Sequence, residues 1–426
     1  MARSLERGTN MTDQRQWYTG VDWASENHHV RITDGGGRDI GEKLFRHGGE
    51  GLAELADWLL AASGATDPGQ IHVAIEVPHG PVVETLLERR FNVYAINPKQ
   101  LDRFRDRFSP AGCKDDSRDA EVLASALRTD PRCFRLLAVA DPIVIELREW
   151  SRITEDLVAE RTRLTNRMRQ QLWRYFPAML DLGSDLGSEW LLDLWQLVPT
   201  PREAARIREA SVAKIIKRNR IRRFDAAHVL SVLRRQPVTV ADGTTQAASA
   251  HVATLVARIR LVNQQLDDAH RRLDSLTQRL ALSQETEPGQ QRQHDAVILA
   301  SLPGVGRIVL ATLLAEAWDA LQRRDYAALR SLTGVAPVTK RSGKSRIVIR
   351  RHACHPRLAN AVYHWARVAV QHDPRCRLKY ATLRGRGHSH ARALRSVADR
   401  LLNVACAMLR AGTTFNPSLV PQNAPC

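Results

Sequence analysis

Four carboxylates in the first third of the chain stand where phosphodiester chemistry needs them. Asp22 lies in the run Trp17-Tyr18-Thr19-Gly20-Val21-Asp22-Trp23, and Glu76 ends the short apolar run His72-Val73-Ala74-Ile75. Asp116 and Asp119 stand three apart in Lys114-Asp115-Asp116-Ser117-Arg118-Asp119-Ala120, so on a helix they share one face. A carboxylate in a core strand is costly unless it is paired or metal-bound. Two such strands and a helical diad can converge on Mg²⁺ or Mn²⁺, hard cations that take oxygen ligands, and a metal pair stabilises both the attacking and the leaving oxygen of a phosphodiester. Each carboxylate alone also has an ordinary explanation: a solvated strand end for Asp22, a loop before Pro78 for Glu76, a helix N-cap for Asp115 or Asp116. Spacing leaves Asp115 and Asp116 as alternatives, and the i+3 partner favours Asp116.

The surrounding pattern predicts the elements that would hold these groups. Residues 16–33 read as a hairpin, Asp34-Gly35-Gly36-Gly37 is strong turn chemistry, and a third strand follows near Ile40–Arg46. Leu52, Leu55, Leu59 and Leu60 keep helical spacing. A buried strand ending at Val77, a helix over Val82–Arg90, a strand at Asn92–Ile96 and a helix around Asp116–Leu127 complete an α/β unit. Strands in hairpin order followed by alternating helices and strands give a mixed sheet with its early strands antiparallel. The middle differs. Val252, Leu255, Ile259, Val262, Leu266, Ala269, Leu273, Leu276 and Leu280 alternate steps of three and four, a coiled-coil seam. Ile143 to Leu172 form a looser amphipathic stripe that can pair with it within the chain or across protomers, and Trp150 and Trp173 on these helices read as core. Between them lies a basic helical insert, about 183–242.

The chain has 426 residues, with 63 Lys and Arg against 46 Asp and Glu, a formal net charge of +17. Asp295–Arg410 alone carries 21 basic and 6 acidic residues, and Arg202–Arg235 carries 11 and 3. Unneutralised clusters of this kind read as surface for a polyanion. Leu302-Pro303-Gly304-Val305-Gly306 before an apolar helix resembles the hairpin of a helix-hairpin-helix, in which glycines such as Gly304 and Gly306 let backbone amides approach a phosphate. Apolar runs such as Ile308–Ala315 are far shorter than the ~20 residues of a membrane span. Six scattered cysteines without a CxxC pair argue against a disulfide framework or a cysteine-rich zinc site and fit a reducing cytosol. His352, Cys354, His355 and His364 match no usual zinc spacing.

GVDWASENHHV, AIEVPHGPV and CKDDSRDAEVLASAL resemble the RNase H-like (RuvC-like) amino-terminal domain of the DEDD insertion-sequence transposases. SLPGVGRIVLATLLAEAWDA, LRSLTGVAPVTKRSGKSR and the stretch from Asp373 to Arg410 resemble the carboxy-terminal part of the same family, serine recombinases guided by a structured bridge RNA. The resemblance implies that Asp22, Glu76, Asp116 and Asp119 are the DEDD metal ligands and that Ser342 is the nucleophile. A serine hydroxyl needs a base, a metal or local positive charge to attack. Lys340, Arg341, Lys344 and Arg346 flank Ser342, with Arg350 and Arg351 just beyond, and would hold a scissile phosphate. No histidine is adjacent to Ser342, so activation would come from the metal site, from the same or another protomer. The family usually shows Gly-Asn after the serine loop, where this chain reads Arg351-His352-Ala353-Cys354-His355-Pro356.

The implied organisation is a disordered tail (1–14), a RuvC-like catalytic domain (15–135), a coiled-coil region (136–292), a helical transposase domain with the serine (293–412) and a second tail (413–426). The implied partners are donor and target DNA, a bridge RNA and further copies of the chain as a dimer or tetramer, with no membrane, in a bacterial cytoplasm at the nucleoid. Two rivals are a RuvC-like metal-dependent structure-specific nuclease with Ser342 idle, and a non-catalytic nucleic-acid-binding scaffold.

Overall fold

The computed structural model describes residues 16–107, 116–137, 141–282, 294–343 and 345–417. Tail 1–14, Asp115, Lys344, the end of the coiled-coil region and the last nine residues lie outside this set. The chain divides into two compact units, Met1–Ala140 and Asp141–Cys426.

The first unit is a mixed six-stranded sheet: β1 (Trp17–Trp23), β2 (Asn27–Asp34), β3 (Asp39–Arg46), β4 (Ile71–Ile75), β5 (Asn92–Ala95) and β6 (Arg135–Leu136), in the order β3-β2-β1-β4-β5-β6. β1 and β2 and then β2 and β3 pair antiparallel, whereas β1–β4 and β4–β5 are parallel. Strand alternation sorts the side chains between two faces. Val21, Val30, Ile32, Ile71, Val73 and Ile75 bury against α1 (Gly49–Ser63) and α2 (Pro81–Glu88), through Leu52, Leu55, Leu59, Val83 and Leu86. On the other face Ala74, Tyr18 and Tyr94 meet Leu101 of α3 (Pro98–Arg105) and Val122, Leu123 and Leu127 of α4 (Asp116–Thr129). Gly20 allows α4 to lie this close: a Cβ there would stand 1.9 Å from the Ala120 carbonyl oxygen.

The second unit is built on α5 (Pro142–Tyr175) and α10 (Thr244–Leu282), which pair antiparallel within the chain. Val144 and Leu147 at the start of α5 share a core with Leu273, Leu276 and Leu280, while Leu164, Met168 and Leu172 share another with Val252, Leu255 and Ile259. All nine positions of the α10 stripe are buried, each burial stabilising by about 1.5–3 kcal/mol for the larger side chains. Trp150 packs against this core, but Trp173 is 71% exposed, contrary to the sequence expectation. It directly follows the seam residue Leu172, and one step along a helix turns it outward.

The insert folds as α6 (Glu189–Leu197), α7 (Pro201–Arg206), α8 (Glu209–Arg218) and α9 (Ala226–Leu233) over the Val252 end of α10. Over its other end pack α11 (Asp295–Ala300), α12 (Arg307–Glu316), α13 (Trp318–Gln322), α14 (Tyr326–Leu332), α15 (Pro356–His372), α16 (Pro374–Gly385) and α17 (His390–Ala411). Between α14 and α15 rises a two-stranded hairpin, β7 (Val338–Ser342) and β8 (Ser345–Ile349). The described start of the second tail is held: Phe415 packs on the core and its amide donates to Ser301 Oγ at 2.8 Å. Among the described residues no helix is long and apolar enough to cross a membrane.

Candidate active site and nucleic-acid interface

The last paired residues of β1 and β4 are Val21 and Ile75, so Asp22 and Glu76 come next on neighbouring parallel strands about 4.8 Å apart. Both continue the alternation of Gly20 and Ala74 toward α4. The chain leaves β1 toward β2 and leaves β4 toward β5, so these carboxylates lie at the switch point where open α/β sheets bind ligands. Asp116 opens α4; its side chain lies outside the described residues. Asp119, one turn on, is largely enclosed, its side chain 11% exposed.

Sequence reasoning missed the cation that faces Glu76 and Asp119. Arg105, at the end of α3, donates from Nε to Asp119 Oδ1 at 2.7 Å and from Nη2 to Oδ2 at 2.8 Å, and from Nη1 to Asp102 at 2.5 Å. The same Nη2 stands 3.8 Å from Glu76 Oε2. Asp119 foremost, then Asp102 and Glu76, raises the guanidinium pKa further, against the opposing effect of burial. One positive charge is thus shared by carboxylates from a strand end and two helices.

A second network holds the first turn of α4. Ser117 Oγ donates to Glu42 Oε1 at 2.6 Å, His29, opposite Asp22 in the β1–β2 register, bonds the same oxygen, and Arg31 Nη1 reaches Glu121 at 3.1 Å. Ser117 first, then His29 and Arg31, hold Glu42 below the usual carboxylate range. His29 and Glu42 were not singled out in the sequence; their signal is positional, since they line up only once the hairpin register is known.

The donors are hard oxygens, which suit a divalent cation in chemistry, and two of them, on Glu76 and Asp119, already share a positive charge. Among the described residues, however, no three ligating side chains are gathered as a metal cluster. Arg105 holds Asp119 instead.

In the second unit Ser342 ends β7, exposed, opposite Ser345, with Gly343 at φ +55° in the turn. A glycine at the first central position suits the turns that match strand twist. The register refines the basic residues: Lys340 shares the Ser342 face with Ser345 and Ile347, while Arg341 and Arg346 point to the opposite face. Arg350 is exposed just past β8, and the Arg351 Nε is enclosed without a hydrogen-bond partner.

The two glycines before α12 part company. Gly304, at φ +83°, is pressed against α15, where a Cβ would meet the Ala369 nitrogen at 2.7 Å, and Trp365 Nε1 donates to the Pro303 carbonyl at 2.9 Å. Packing, not a phosphate, requires Gly304. Gly306 is exposed with open space around it. The unusual turn before α15 is likewise structural: His355 caps α15 and faces the enclosed Glu316, and Cys354 packs against Gly334. Several arginines of the insert serve the fold, Arg223 donating to the Leu182 carbonyl, Arg234 to those of Ala204 and Ile207, and Arg235 pairing with Asp181.

Residues 19–177 match the family model of DEDD transposases of IS110, described as a transposase, and residues 296–381 match the transposase IS116/IS110/IS902 family. The putative transposase y4uE of Sinorhizobium fredii is 76% identical over 226 residues, 53% of this chain and 63% of that protein. The mini-circle putative transposase for IS117 of Streptomyces coelicolor is 31% identical over 393 residues, covering 90% of this chain and 92% of the relative. An IS900 protein of Mycobacterium paratuberculosis is 26% identical over 94% of this chain and 97% of its own length. The paired strand ends, the α4 carboxylates and the serine hairpin all fall within the matched segments, and the chain belongs to the IS110/IS116 family of DEDD transposases.

Proposed function

We propose that this chain is a DNA transposase that cuts and rejoins strands through a covalent serine–DNA intermediate, on an RNase H-like first unit and a second unit whose long helices form a coiled coil. The observation that supports this reading is that Asp22 and Glu76 end neighbouring parallel strands at the switch point of the sheet, and that Glu76 and Asp119 share the Arg105 guanidinium. Asp22, Glu76, Asp116 and Asp119 would hold one or two divalent cations, Mg²⁺ or Mn²⁺, which when bound stabilise charge on the attacking and leaving oxygens.

The chain's own residues do the rest. Lys340, on the Ser342 face, draws a phosphate to the hydroxyl. Gly343 leaves the turn open to a nucleic-acid backbone. Ser342 Oγ forms a bond to phosphorus, the bond to one sugar oxygen breaks, and the proton lost by the serine is balanced by one gained on that oxygen. The phosphoserine ester keeps the bond energy, so a second strand's hydroxyl can reverse the step without ATP and free the serine. Donor and target DNA are the substrates, a structured bridge RNA selects them by base pairing, and a dimer or tetramer brings strands together.

Incubation of the full chain with RNA and DNA from its element, with and without Mg²⁺, tests this. A denaturant-resistant protein–DNA adduct that needs the ion and disappears in Ser342→Ala is expected. Free 5′-phosphate ends without an adduct would favour the nuclease reading.

A further inference from the structure

Next to the hairpin, inside the second unit, lies a cavity of about 420 Å³. Val335, Val362 and Leu394 make an apolar floor, and Arg350, Arg395 and Asn360 stand around it. No acidic residue lines it. Arg395, in the second turn of α17, is half-buried with Arg350 and Arg392 near it; burial first and then these two like charges lower its pKa. Among the described residues none of the three arginines has a carboxylate partner. Three cations without a carboxylate partner, beside a partly apolar hollow, form an incomplete arrangement that an anion with an apolar part would complete.

We infer that this cavity takes one unstacked nucleotide of the DNA strand engaged by the hairpin, its base against the apolar floor and its phosphate on Arg350 and Arg395. The size suits a ligand of that class, and the exposed Tyr363 offers a ring at the mouth for stacking. Arg350 follows β8 directly, five residues beyond Ser345, so the cavity opens about 16 Å along the hairpin from Ser342. At about 3.4 Å per step, that is some five nucleotides from the cut. A strand held at both points would be fixed in register as well as bound. This inference rests on the strand-cleavage reading of Ser342 and adds to it a site for one nucleotide.

Binding of dAMP, deoxyadenosine, inorganic phosphate and AMP to the full-length protein, followed by saturation-transfer NMR and equilibrium dialysis, tests it. dAMP is expected to bind at least roughly tenfold more tightly than phosphate or the nucleoside, a gap of about 1.4 kcal/mol. Arg395→Ala should remove that advantage and Arg395→Lys restore part of it. Ala391→Phe, at an exposed lining position where folding is not at stake, should block dAMP while leaving phosphate binding. Equal binding of phosphate and dAMP, or no effect of either variant, overturns the proposal, as does a tenfold preference for AMP, which would assign the cavity to RNA. Ser342→Ala should bind dAMP normally. Retained dAMP binding without adducts would therefore sink the cleavage reading alone, and normal adducts without dAMP binding would sink the cavity alone.

Discussion

Arg105 grips both oxygens of the enclosed Asp119, and at the residue scale the site turns on that pair. Breaking a largely buried pair from one side leaves the other charge uncompensated and costs about 2–4 kcal/mol. Arg105→Ala should thus lower the melting temperature in EDTA. Mn²⁺, replacing the lost cation, should restore it, while the wild-type protein responds less. A melting temperature that stays low in Mn²⁺ would mean that the carboxylates do not take the ion. Asp22 and Glu76 stood out as acids at the ends of apolar runs, and Asp116 and Asp119 by their i, i+3 spacing. Arg105 did not: nothing in Asp102-Arg103-Phe104-Arg105 tells which basic residue turns inward, and α3 itself escaped notice in so polar a stretch.

At the scale of elements, α4 can carry its acids to β1 only because residue 20 is glycine. Gly20→Ala forces a methyl into the Ala120 backbone and should destabilise the protein by about 1–3 kcal/mol, at the upper end since backbone yields poorly; a chemical-denaturation midpoint unchanged from wild type would refute the close docking. In the insert, Asp193 joins α6 to Arg218 and Asn219 at the end of α8 and to Arg260 of α10. Burial alone would raise its pKa, yet hydrogen bonds from Arg218 and Asn219 and the Arg260 charge hold it below the usual range. A depressed folded value means the stabilisation is full above the unfolded value of about 3.9 and is lost as pH falls through the folded one. Asp193→Asn should accordingly be less stable than wild type at neutral pH, and urea titrations should show the gap closing below about pH 4; a gap that widened in acid would reverse the assignment. The α10 stripe was readable from period, because one buried face imposes it, and the mixed sheet with antiparallel early strands from hairpin and turn signals; the order of the later strands and β6 were not. Nor was the orientation of the β7–β8 hairpin's basic residues, since their face depends on pairing register.

At the scale of the whole molecule, the excess of positive charge has no counterpart within the chain. Ile347 and Val348 stay 58% and 55% exposed on a two-stranded hairpin, which is marginal in water without a partner. The basic excess fits a polyanionic partner. Binding to nucleic acid should weaken steeply with salt through counterion release, and a nearly flat plot of log K against log salt would contradict it. The most direct test of the central claim is the identity of the residue that carries DNA. Wild-type protein is incubated with its DNA, RNA and Mg²⁺, digested with nuclease and protease, and mapped by mass spectrometry. The account predicts a nucleotide remnant on Ser342, absent from Asp119→Asn; a remnant on Ser345 or any other residue, or cut DNA with none on the protein, would contradict it.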